Sequence, residues 1–62
     1  MSHELAERTD GGIVVRLLWS SEEDAVHVEY FDLRTGDAFT SRVPKTEAMS
    51  AFRHPNAYRM AA

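Results

Sequence analysis

The strongest constraint on this chain is the hexapeptide Asp32-Leu33-Arg34-Thr35-Gly36-Asp37, set between two stretches in which apolar and polar residues alternate. An aspartate at the start of a turn can accept backbone N–H bonds within it, and Gly36 can adopt the left-handed conformation at its end. Hairpin loops of four or five residues are commonly built around such a turn. Pairing Asp32 with Asp37 sets Tyr30 opposite Phe39, Val28 opposite Ser41 and Val26 opposite Val43. The same register sets His27 opposite Arg42 and Glu29 opposite Thr40 on the other face. A slip of one residue would bring Val28 against Arg42 and Tyr30 against Thr40, mixing the two faces, which a one-sided core forbids. The sequence therefore predicts a hairpin of Ala25–Asp32 with the segment ending at Val43, where Pro44 stops the ladder because it has no N–H to donate.

Upstream, Ile13 to Trp19 is rich in β-branched and large apolar residues and carries one charge, Arg16. Its length and composition predict a strand rather than a helix. Alternation places Ile13, Val15, Leu17 and Trp19 on one face, and Val14, Arg16 and Leu18 on the other. Ser20 to Asp24 then reads as a polar loop. Residues 1–12 are polar and end in Asp10-Gly11-Gly12, a turn signal. A helical turn begun by Ser2, Leu5 and Ala6 would be marginal in water, so this segment is expected to be flexible and mostly disordered.

Downstream, Lys45 to His54 has helical spacing, with Ala48, Met49 and Phe52 as the expected apolar stripe. His54-Pro55 stops the helix, since a residue before proline is pushed out of the α region. Tyr58 is expected to fold back on the sheet, and residues 60–62 to fray. The expectation is an α+β fold: a three-stranded antiparallel β-meander with one C-terminal helix packed on one face, in the order β-β-β-α. It comprises a flexible segment over 1–12 and a single small domain over 13–60.

Arg8-Thr9-Asp10 before the first strand, Leu18-Trp19 at its end and Asp32 through Phe39 in the hairpin form one pattern with Ala48, Phe52, His54-Pro55 and Tyr58. In this pattern the chain resembles a type of short, uncharacterised actinobacterial protein, and the resemblance implies a bacterial source. The resemblance implies a compact stand-alone domain. It brings no activity and transfers no site residues.

Function is constrained mostly by exclusion. The formal charge is −3, and the Lys and Arg residues are scattered singly along the chain. Nucleic-acid binding draws on clustered cations that neutralise phosphates, so a nucleic-acid partner is disfavoured. A small regulator that lays Arg16, Arg34 and Arg42 on DNA from the sheet is the alternative reading. Cysteine is absent, which removes disulfides and thiolate metal sites together. His3, His27 and His54 fall on three separate segments without metal-ligand spacing, so no metal or other cofactor is expected. Glu29 with His27 and Arg16 could form a polar cluster, but a bare sheet face lacks the water-excluding pocket that acid–base chemistry needs, and no enzyme is expected. The N-terminus has no basic stretch followed by an apolar run, and no apolar stretch is long enough to span a bilayer, so the expected location is cytoplasmic and not membrane-bound.

With 62 residues, a chain without staples is marginal alone, and a partner chain is the remaining source of burial. With the helix on one face, the other is left uncovered. Its expected members are Val14, Arg16, Leu18, His27, Glu29, Phe31, Leu33 and Arg42. An apolar patch ringed by charge marks an interaction surface. The function expected is a non-enzymatic protein–protein interaction module, homodimeric through this face or an edge strand.

Overall fold

In the computed structural model, residues 2–59 are described. They form a four-stranded antiparallel sheet, β1 (Ser2–Asp10), β2 (Ile13–Ser20), β3 (Ala25–Asp32) and β4 (Ala38–Val43), in the spatial order β1-β2-β3-β4. A 3-10 turn (Lys45–Glu47), the helix α1 (Ala48–Arg53) and a second 3-10 turn (Pro55–Tyr58) follow. The broad class is α+β, as expected. The three-stranded meander is not: the segment read as disordered supplies a fourth strand, β1, along the outer edge of β2. The expected frayed tail, 60–62, lies outside the described residues.

The reason lies in Gly11-Gly12. Both glycines have positive φ, +57° and +83°, the geometry of the two-residue type I′ hairpin loop whose twist matches the flanking strands. Asp10 pairs with Ile13 across that loop. The chain therefore returns along the free edge of β2, whose backbone groups would otherwise lack partners. Tertiary contacts hold β1 there, although its own residues favour strand weakly. Arg8 donates Nε and Nη2 hydrogen bonds to the carbonyl of Phe52, at 3.1 and 2.9 Å, and a longer one from Nη2 to Arg53 O at 3.3 Å. Its guanidinium also lies 5.5 Å from the centre of the Phe52 ring. The last carbonyls of a helix have no partner within it, and a cation is favoured there. Arg8 thus caps α1 from a strand that precedes it by some forty residues.

The β3–β4 register is the one the hairpin argument requires, with Tyr30 opposite Phe39, Val28 opposite Ser41 and Val26 opposite Val43. Asp32 Oδ1 accepts the Arg34 N–H at 2.9 Å, and Gly36, at φ +78°, donates to Asp32 O. The two hairpins are joined where Leu33 N donates to Gly12 O at 2.8 Å.

Val15, Leu17, Val26, Val28, Tyr30 and Val43 are buried together with Ala51 of α1, and Ala6, Trp19, Phe39, Phe52 and Tyr58 pack around them. The expected helical stripe needs one correction. Met49 is 54% exposed, whereas Ala51 is fully buried. Lys45–Glu47 is a 3-10 turn and the α-helix begins only at Ala48; its inward side is Ala48, Ala51 and Phe52, followed by the buried Pro55 of the second 3-10 turn. Ala48, Ala51 and Phe52 follow the i, i+3, i+4 spacing, while Met49 is rotated about 100° from Ala48. Tyr58 folds back as expected and donates its hydroxyl to Glu47 at 2.9 Å.

Two further aspartates, Asp24 and the half-buried Asp37, bind the remaining segments. Asp24, in the left-handed region at φ +50°, accepts from Trp19 Nε1 at 3.2 Å and from Lys45 Nζ at 2.8 Å. Asp37 takes both ends of the Arg59 guanidinium, which also lies over the Phe39 ring, itself stacked on Tyr30.

Candidate functional site

The helix and 3-10 turns cover one face of the sheet, and no other described residues form a layer on the opposite face. Cross-strand partners share a face, so the register defines the open face as a grid of three rows. The first row is Glu4, Leu18, His27, Arg42, the second Glu7, Arg16, Glu29, Thr40, and the third Thr9, Val14, Phe31, Ala38. Seven of the eight residues expected on this face, Val14, Arg16, Leu18, His27, Glu29, Phe31 and Arg42, stand on the grid. Leu33 does not. It lies in the β3–β4 turn, 62% exposed, beyond the end of the strand.

Glu4 and Glu7 were not among the expected members. They reach the face through a β-bulge in β1. The register shifts between Glu4, opposite Leu18, and Ala6, opposite Leu17, leaving Leu5 as the extra residue. Regular alternation would put Glu4 and Glu7 on opposite faces. The bulge brings both to the open face, and it turns Ala6 and Arg8 inward to the core and to α1. Gly-Gly between two strand-length segments was the available signal for this hairpin. The bulge itself has no signature in the sequence.

Arg16 sits at the centre of a charge cluster. Its Nε is 2.8 Å from Glu4 Oε1 and 3.4 Å from Glu7 Oε2, and its Nη1 is 3.3 Å from Glu29 Oε1. The hydrogen bond that Arg16 donates to Glu4, together with the charges of Glu4, Glu29 and Glu7, holds the guanidinium above its ordinary pKa against the opposing effect of desolvation. Arg16 is therefore permanently cationic and surrounded by three carboxylates. Beside it, Glu7, Val14, Arg16, Glu29 and Phe31 line a shallow depression. Phe31 is 43% exposed at its rim. At the β4 edge, Arg42 is exposed, with Glu23 as a distant partner at 3.9 Å.

The three histidines are on different surfaces. His3 stacks on Trp19 on the helix side of the sheet, with ring centres 5.7 Å apart, His27 is on the open face, and His54 follows α1. Among the described residues no three His, Asp or Glu side chains are grouped as metal ligands. No helix among the described residues is long and apolar enough to cross a membrane. No family model, curated protein or solved structure matches this chain.

Proposed function

We propose that this chain is a non-enzymatic protein-interaction module of the cytoplasm that binds protein through the helix-free face of its sheet. One observation carries the reading: Val14, Leu18 and Phe31 stand on that face around an arginine already ringed by Glu4, Glu7 and Glu29. Apolar side chains interleaved with paired charges are the composition of a protein interface, in which an apolar centre supplies energy and polar groups supply specificity. The same ring of carboxylates opposes nucleic acid. A phosphate approaching Arg16 would meet three negative charges first, and the counterion release that drives such binding would be small.

Hydroxyl-radical footprinting inside cells that produce the protein tests this reading. Phe31 and Met49 are the exposed reporters of the open face and the helix side. Phe31 is expected to be protected in cells relative to the dilute purified protein while Met49 stays reactive, and Phe31→Asp should expose the neighbouring Leu18 and Val14. Equal reactivity of Phe31 in both settings would overturn the reading.

A further inference from the structure

We infer that the occupant of the open face is a second copy of this chain, packed face to face about a two-fold axis parallel to the strands and lying between β2 and β3. The inference rests on the proposed role of this face and names its partner. A two-fold axis along the strands keeps each row of the grid in place and reverses its order, so that β1 lies over β4 of the other copy and β2 over β3. The first row then sets Glu4 against Arg42 and Leu18 against His27 of the second copy. The second row sets Arg16 against Glu29, and the third sets Val14 against Phe31.

Charge selects this arrangement. Each Arg16 already pairs with Glu29 of its own sheet. Facing a second copy, the two arginines and two glutamates form a closed ring of alternating sign at the axis. Arg42, whose ion pair with Glu23 is long at 3.9 Å, gains Glu4. The other face-to-face two-fold axis, perpendicular to the strands, places the middle row on itself. Glu7 would then meet Glu7, Arg16 would meet Arg16 and Glu29 would meet Glu29. Such juxtaposition of like charge is what interfaces avoid.

The geometry is that of an aligned sheet sandwich, with sheets about 10 Å apart and strands within roughly 30° of each other. The central pairs lie along the axis, where that angle displaces them least. The grid is about 20 Å across on strand spacing and rise, or on the order of 400 Å² in projection. This is below the roughly 800 Å² per partner of a standard interface, so the dimer should dissociate on dilution.

Cysteine cross-linking distinguishes the two axes in a chain that contains no cysteine. Within one copy, Glu4 and Arg42 lie at opposite edges of the sheet, three strand spacings or about 14 Å apart, too far for a disulfide. The double variant Glu4→Cys/Arg42→Cys should therefore form a covalent dimer as its main product under mild oxidation. Glu7→Cys should form no covalent dimer under the same conditions, since the proposed axis keeps Glu7 far from its copy. All three sites are exposed, so the variants are expected to fold. Light scattering of the wild-type protein should read double the chain mass at high concentration and fall on dilution. A Glu7 disulfide, or a dimer in which neither variant cross-links, would overturn the assignment. A wild-type mass that stays monomeric at every concentration would also overturn it, while protection of Phe31 in cells would then still support a protein partner of another kind.

Discussion

Replacing Arg8 by Met tests how the unexpected strand is held. Arg8 makes two good hydrogen bonds and one longer one to the carbonyls that end α1, and its guanidinium stacks over Phe52. Methionine keeps an apolar stem against that ring and removes the donors. Hydrogen bonds made by a charged group contribute about 1.5–3 kcal/mol, and a partly exposed cation–π contact about 0.5–1 kcal/mol. Half-exposure places the sum near the low end, about 2 kcal/mol. A domain of this length is expected to be stable by roughly 3–9 kcal/mol, so the loss is a large fraction of the whole. It corresponds to a fall in Tm of about 8–16 °C, at roughly 4–8 °C per kcal/mol for a small domain. Urea unfolding followed by Trp19 fluorescence should show a lower midpoint, and amide exchange in Ala6–Asp10 should accelerate before that in β3. Arg8→Lys should recover part of the loss, because an ammonium can reach a carbonyl but lacks the planar fork. A midpoint for Arg8→Met within about 0.5 kcal/mol of wild type, with β1 amides still protected, would refute the claim that this contact docks the strand.

Ser41 Oγ is buried opposite Val28 without a hydrogen-bond partner among the described residues. Ser41→Ala should leave stability unchanged or raise it by up to about 1 kcal/mol in the same urea assay, because it removes an unsatisfied buried polar atom. At the first hairpin loop, a Cβ on Gly12 would stand 3.1 Å from Arg34 Cγ at a φ of +83°, whereas one on Gly11 meets open space at +57°. Gly12→Ala should therefore cost about 1–2 kcal/mol and Gly11→Asn much less, measured by thermal melts. Acid should destabilise the fold through three aspartates: the bond from Arg34 lowers the pKa of Asp32, that from Arg59 lowers Asp37, and those from Lys45 and Trp19 lower Asp24. Each carboxylate is bound more tightly when charged, so its contribution is fully present above the unfolded value of about 3.9 and is lost as pH falls through the lower folded value. In circular-dichroism melts the wild-type protein is expected to lose stability below pH ~4, and Asp32→Asn should flatten that decline.

The hairpin of β3 and β4 was legible in residue order, together with its register. A one-residue slip would separate Val26, Val28 and Tyr30 from the face of Ser41, Phe39 and Val43, and the local chemistry of the turn Asp32–Asp37 fixes which of the remaining pairings forms. The alternation of β2 likewise placed Val15 and Leu17 in the core and Val14, Arg16 and Leu18 on the open face. These are short-range properties: side-chain period, turn geometry and proline placement act within a few residues.

The fourth strand was decided elsewhere. His3-Glu4-Leu5-Ala6-Glu7-Arg8 has neither the alternation nor the residue types of a strand. It becomes one because a positive-φ glycine pair returns it to an open edge, Arg8 finds carbonyls at the distant end of α1, and His3 finds Trp19. The helical stripe was decided in the same way: α1 docks on β2 and β3 with Ala51 in the core and Met49 outward, although Ala48 and Phe52 alone fit either choice. Composition and pattern established a one-sided sheet with a covered face and an open one. Which carboxylates surround Arg16 followed from a bulge at Leu5, and a bulge is a compromise between two strands that the local sequence of neither encodes.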